Sequence, residues 1–280
     1  MRSICAAAAG LFAAGCLSGA AWSLNVRDDL RHQVTLSAPA QRIVTLSPHA
    51  TDLVLAAGAG SQLVGIAAGG DSIDQLASLP RIGGPGGLDR ERLLTLRPDL
   101  VIAWHSGNRP SDLAWIRHRG TALFLSEPRS LDDIAATIEA IGELAGRTAQ
   151  ATAAAARFRQ QTNGTCARGP LRVAYVEVWA TPAMSVGGRH WINAVLRAAG
   201  YLNVLEHLDL GAFAIAKEVA HGFRDLPTIR LIRSFDGGDD DHLAGLLSRP
   251  GPLLGEAVAR LCERRRNGDK NLSEGVTPNQ

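Results

Sequence analysis

The chain has 280 residues, 46% hydrophobic and 20% charged, with a formal net charge of +2. That length and apolar fraction suit a globular protein of one large or two modest domains and argue against extensive disorder. A charge so close to zero leaves no basic field to attract nucleic acid or anionic lipid, so no nucleic-acid partner is expected.

Residues 1–23 read as an export signal: Arg2 is followed by an uncharged stretch from Ile4 to Ala21, and Ala21-Trp22-Ser23 fits a small-x-small cleavage site. That implies export. Ala13-Ala14-Gly15-Cys16 also resembles a lipoprotein cleavage box, which leaves a lipid anchor at Cys16 as the alternative. Cys5 lies in the leader with Cys16, and the other two cysteines, Cys166 and Cys262, are compatible with a disulfide in an oxidising compartment without demanding one. No C-x-x-C pair is present, so a structural zinc site of the common kind is not expected.

The mature chain opens with Leu24 to Ala40, where Val34-Thr35-Leu36 forms an edge strand or hairpin arm. Arg42 to Ser47 is an apolar run expected as a buried strand, and Pro48 and Thr51 open a helix closed by Gly58 and Gly60. Val64-Gly65-Ile66 is a second strand, Asp89 to Leu96 a helix stopped by Pro98, and Asp99 to Trp104 a third strand. Ser111 to His118 is a helix and Thr121 to Leu125 a strand. Strand and helix alternate, so residues 24–127 are expected as a small parallel sheet covered on both faces.

Apolar residues then recur at Leu131, Ile134, Ile138, Ile141, Ala145 and Phe158, the spacing of one buried helical face. With Ser130 as N-cap and Asn163-Gly164 as stop, Leu131 to Gln161 reads as one uninterrupted helix of roughly 45 Å, a strut over 128–164. Beyond it, residues 165–266 resume the α/β pattern. Leu171 to Val178 is a strand, Trp191 to Ala199 a helix, Ile229 to Ile232 a weak strand and Pro252 to Cys262 a closing helix. Residues 267–280 are expected as a frayed polar tail. The fold class is therefore α/β, two Rossmann-like lobes joined by a single long helix.

Trp104 and Trp179 each follow a predicted parallel strand, and in open α/β sheets ligands bind at the carboxyl ends of the strands. Two indoles facing each other across a crevice would suit a broad, flat, partly apolar ligand. An enzyme is not expected. The chain carries no G-x-S-x-G elbow, no H-E-x-x-H helix and no G-x-x-x-x-G-K loop.

Three stretches carry a family resemblance: Arg42-Ile-Val-Thr-Leu-Ser-Pro-His-Ala-Thr-Asp-Leu53, Asp89-Arg-Glu-Arg-Leu-Leu-Thr-Leu-Arg-Pro-Asp-Leu-Val-Ile-Ala-Trp104 and Ser185-Val-Gly-Gly-Arg-His-Trp-Ile-Asn193. They resemble the cobalamin-binding proteins of bacterial ABC importers, within the wider group of periplasmic receptors whose lobes share one helical backbone. The resemblance runs from about Val26 to Val219 and returns at Arg249-Pro-Gly-Pro252.

It implies a monomeric capture protein that delivers a corrinoid, bound as cargo and not as a cofactor, to an inner-membrane ABC permease. By motif position it places Pro48, His49, Trp104, Trp179, Trp191 and Arg249 at the ligand cleft, and Glu91 and Glu218 on the lobe surfaces that meet permease arginines. A ferric-siderophore or other metal-chelate binder of the same superfamily, or a binding-defective docking paralogue, is the alternative. No metal ligand is assigned, because His49 and His190 at loop–helix junctions read as hydrogen-bonding or capping residues.

Two departures matter. Haem-binding relatives use an early tyrosine, whereas the tyrosines here are Tyr175 and Tyr201, which argues against haem; and Gly69-Gly70-Asp71 stands where the cobalamin pattern has aromatic residues, so part of the stacking surface is missing. After Glu218 the expected helix and inner strand are missing, so Ile229 to Ile232 must move in to pair or the second lobe loses stability.

Overall fold

A computed structural model describes residues 23–68, 76–84, 87–163, 169–232 and 239–274. The leader through residue 22, Gly69-Gly70-Asp71, Gly164 and Cys166 lie outside these described residues. A hairpin of β1 (Leu24–Arg27) and β2 (Gln33–Leu36) precedes the first sheet. That sheet contains β3 (Ile43–Thr45), β4 (Leu63–Ala67), β5 (Arg81–Gly84), β6 (Gly87–Leu88), β7 (Leu100–Trp104) and β8 (Ala122–Ser126). Its order is β6-β5-β4-β3-β7-β8, parallel except for the β5–β6 pair.

The apolar runs of these strands reflect burial on both faces. Ile43, Leu100, Ile102 and Phe124 enter one core, while their neighbours Val44, Val101, Ala103 and Leu125 enter another on the opposite face. The first core is covered by α1 (Pro48–Ala56) and α4 (Leu131–Leu144), the second by α2 (Arg90–Leu96) and α3 (Pro110–His118). The chain leaves β3 toward β4 on one side and returns to β7 on the other. The carboxyl ends of β3 and β7 therefore flank a topological switch point, where a ligand crevice forms.

The long strut is not one helix. It is α4 followed by α5 (Thr148–Thr162), broken at Ala145-Gly146-Arg147, with Gly146 in the left-handed conformation at φ 66°. The Gln62 side chain donates 2.9 Å to the Ala145 carbonyl, satisfying a backbone acceptor at the helix end. The two helices fold back as a hairpin, with α4 remaining on the first lobe. A Cβ added at Gly142 would overlap the Ala151 methyl, so glycine lets the two backbones approach.

Of the two helices it is α5, about 22 Å long at the usual rise, that runs toward the second lobe. Gln150 packs on Gly58 near its start, and Gln161 packs on Gly255 of the second lobe near its end. Gly142→Val is expected to cost about 3 kcal/mol of stability by overpacking this seam, read as a lowered urea midpoint with an unchanged slope.

The second lobe contains β9 (Arg172–Glu177), β10 (Trp179–Ala180), β11 (Ala183–Val186), β12 (Tyr201–Asn203), β13 (Ala212–Ala214) and β14 (Thr228–Arg230). The parallel set runs β12-β9-β14, and β10-β11-β13 form a small antiparallel set. The missing inner strand is replaced by direct pairing of β14 with β9, Ile229 opposite Val176, and Leu231 N donates 3.0 Å to the Glu177 carbonyl. Ile229 is buried in the shared core.

Around these strands pack α6 (Ile192–Ala198), α8 (Asp239–Leu246) and α9 (Leu254–Glu274), while α7 (Lys217–His221) buries none of its residues. The closing helix does not stop at Cys262, and the expected frayed tail is helical from residue 267 to Glu274. Leu254, Ala257, Val258, Leu261 and Cys262 form its buried stripe, which nucleates a helix that the polar residues beyond simply continue. Cys262 is disulfide-bonded, and its partner lies outside the described residues.

Candidate functional site

A cavity of about 1200 Å³ opens where the carboxyl ends of β3, β7 and β8 face the second lobe. From the first lobe it is lined by Pro48, His49, Trp104 and Glu127-Pro128-Arg129, and from the second by Val178, Arg189-His190-Trp191, Asn193 and Arg249.

The first-lobe wall is set by the start of α1. Ser47 caps the helix by accepting from Ala50 N, and Pro48 takes the first helical position. His49 is thereby turned inward and is only 2% exposed. Its Nδ1 lies 3.2 Å from Ser47 Oγ and its Nε2 3.3 Å from Ser126 Oγ, so both ring nitrogens are engaged. Burial, assisted by the Arg249 charge, holds the imidazole down to about 4.

The ring meets Trp104 edge-on, centroids 5.3 Å apart at 90°. Asn108 fixes the loop beyond Trp104, accepting 2.7 Å from Trp104 N and donating 2.9 Å to the Leu46 carbonyl. Gly107 lies flat on the indole, where any Cβ would overlap the ring.

Behind the rim, Asp29 accepts 2.7 Å from Glu127 N and 2.6 Å from Thr137 Oγ1. Burial pushes this carboxyl up to about 6. Glu127 in turn accepts 3.0 Å from Ser106 N, so the rim loop and the Trp104 loop are tied together.

On the opposite wall, His190 Nδ1 accepts 3.2 Å from Ile192 N, and its ring lies 5.0 Å from that of Trp191. Burial holds this imidazole down to about 4 as well. Arg249 Nε sits 2.8 Å from Asp52 Oδ2.

Of the six residues placed at the cleft by the sequence, Pro48, His49, Trp104, Trp191 and Arg249 come together here. Trp179 does not: it is 53% exposed on β10 and outside the cavity lining. Val178, at the bend between β9 and β10, lines the cavity in its place. Trp191, from the turn before α6, supplies the second-lobe indole instead.

Glu91 and Glu218 occupy the exposed first turns of α2 and α7, one on each lobe. Asp52 and Asn193 lie inside two of the resembling stretches with no role assigned to them there, and Glu127 lies outside all three. Glu127 follows β8 as directly as Trp104 ends β7, and the same strand-end rule would have found it. Among the described residues no group of three or more His, Cys, Asp or Glu side chains could hold a metal ion. Among them, too, no helix is long and apolar enough to cross a membrane.

Residues 43–217 match the periplasmic binding protein family. A vitamin B12-binding protein of Vibrio cholerae serotype O1 is 34% identical over 170 residues, covering 59% of this chain and 61% of the relative, so the match spans less than two thirds of that relative's length. The vitamin B12-binding protein of Vibrio parahaemolyticus is 30% identical over 246 residues, 80% of this chain and 89% of the relative. The crystal structure of the periplasmic vitamin B12 binding protein BtuF of Vibrio cholerae superposes with a TM-score of 0.73 at 27% identity, covering 83% of this chain and 99% of that one. The periplasmic heme-binding protein RhuT of Roseiflexus, at 24% identity and a TM-score of 0.64 over 80% of this chain and 97% of its own, shares the fold.

Proposed function

The chain belongs to the periplasmic binding protein family, and from that premise we propose that it captures a corrinoid of the vitamin B12 type between its lobes and delivers it to an inner-membrane ABC permease. The observation that carries this reading is the cavity of about 1200 Å³ with Trp104 on one wall and Trp191 on the other. Pockets for ordinary small molecules run to roughly 1000 Å³, so a cavity of this size suits a broad, rigid guest. Indole faces supply apolar contact to a flat macrocycle. His190, held neutral by burial and engaged only through Nδ1, offers its other ring nitrogen to an amide arm of such a ligand without presenting buried charge.

The corrinoid is cargo here, and no step of chemistry is required of the protein. Its job is to bind, hold and release. The core shared through α4, α5 and α9 favours a cleft already formed before the ligand arrives, which lowers the ordering cost of binding. The exposed Glu91 and Glu218 are suited to meet permease arginines and to steer docking more than to tighten it. The family places the protein in the periplasm, and we propose that it acts there as a monomer.

A haem reading that relies on a tyrosine ligand finds no support at this cavity, because Tyr175 and Tyr201 are buried in the second lobe away from its lining. Titration with cyanocobalamin, followed by tryptophan quenching, is expected to give saturable one-to-one binding. A flat trace would overturn the corrinoid reading and favour a docking paralogue.

A further inference from the structure

Besides α5, a second link joins the lobes, and it lies at the edge of the cavity. Asp52 stands one helical turn beyond His49 on α1, in the first lobe. Arg249 lies between α8 and α9, in the second. Arg249 Nε is 2.8 Å from Asp52 Oδ2, with the two side chains only 23% and 14% exposed. The Gly251 backbone comes equally close: a Cβ built there would touch Asp52 at 3.7 Å. The segment Arg249-Pro250-Gly251 is thus seated directly on α1.

We infer that Asp52 is a positioning residue, which holds Arg249 at the cavity wall and through it fixes the span between the lobes. This rests on the cavity being the ligand site. Asp52 is not among the residues that line the cavity, so its effect must pass through Arg249. Asp52 Oδ2 is buried and takes no hydrogen bond, which leaves the Arg249 charge as its compensation. The contact is ionic, and such a buried pair contributes geometry more dependably than net stability.

His49, facing the pair from the same helix, is held neutral by its burial. If Asp52 is neutralised, Arg249 loses the ionic contact that seats it on α1 and shifts from its place at the cavity wall. The cavity then loses a donor, and the two lobes lose a contact that does not run through α5.

The test compares wild type with Asp52→Asn, Asp52→Glu, Arg249→Gln and the Asp52→Asn/Arg249→Gln double variant by cyanocobalamin calorimetry. Asp52→Asn is expected to weaken binding about tenfold or more, and the second substitution to add less than about twofold, because both remove one device. Asp52→Glu, which keeps the charge, is expected to recover part of the loss, and it carries the test if Asp52→Asn does not fold. Penalties that multiply, or Asp52→Asn binding like wild type, would overturn the inference.

Hydrogen exchange without ligand forms a separate arm. Amides of 49–56 and 251–258 are expected to exchange faster in Asp52→Asn, and unchanged exchange would remove the inter-lobe role. If wild type itself binds no corrinoid, the calorimetry reports failure of the corrinoid reading, and the exchange arm still decides Asp52.

Discussion

Trp104→Ala is expected to weaken corrinoid binding roughly a hundredfold while leaving the fold intact, because the indole contributes to the cavity more than to the core. Trp104 is only half-buried, and its strand is held by backbone pairing of β7 with β3 and β8, which alanine retains. The loop beyond is fixed by Asn108 through the Trp104 amide and not through its side chain. Truncation therefore leaves a gap in the ligand wall over an unchanged backbone. Gly107→Ala reaches the same end by another route, since the added methyl must displace the indole. Trp179→Ala is the control. At 53% exposure and outside the lining, it is expected to leave affinity within about twofold of wild type by calorimetry. Equal losses at Trp104 and Trp179 would mean that the ligand lies elsewhere.

The contrast between those two tryptophans also marks what a sequence reveals and what it hides. The strand ending in Trp104 is legible because its apolar run, its length and its bounding Pro98 all agree, and the strand-end rule then places the site. The side to which Trp179 points is not. Parity could settle it in a strand with one wet face, but Ala174, Tyr175 and Val176 are all buried, so β9 carries no alternation from which to count.

The broken strut has a similar cause. Ala-rich composition on both sides of Gly146 keeps helix propensity high, and propensity is a local quantity. The turn is decided by contacts far apart in sequence: Gly142 against Ala151, and Gln62 on the Ala145 carbonyl. Pairing of β14 with β9 and the meeting of Asp52 with Arg249 are likewise long-range facts with no periodic signature. What the local pattern does establish is the alternation of strand and helix and the residues at the mouth of β3, where Pro48 marks the start of a helix that the structure caps with Ser47.

The protein is expected to lose stability as the pH falls from about 6.5 toward 4, and the two cleft histidines are the reason. Both are neutral in folded and unfolded chains above the ordinary imidazole value, so they contribute no pH dependence there. Below about 6.5 the unfolded chain takes up protons that the folded protein refuses until about pH 4, and each group then favours unfolding by roughly 3 kcal/mol at full effect. Asp29 acts in the opposite sense. Pushed up to about 6, it binds a proton in the folded protein before the unfolded chain does, so its contribution grows as the pH drops from 6 toward 4. Asp52, raised by burial against the opposing pull of Arg249, falls on the same side. Two imidazoles outweigh Asp29, so the net urea midpoint of wild type declines across this range. Replacing both histidines with glutamine removes the dominant acid-sensitive groups and leaves the carboxyls. The slope should then reverse, with the double variant becoming more stable between pH 6 and 4.5 although less stable than wild type at pH 7, where it has lost the hydrogen bonds of His49 to Ser47 and Ser126. Urea titrations at half-unit pH steps decide the matter. A double variant that declines in parallel with wild type would mean that the acid sensitivity resides outside the cleft.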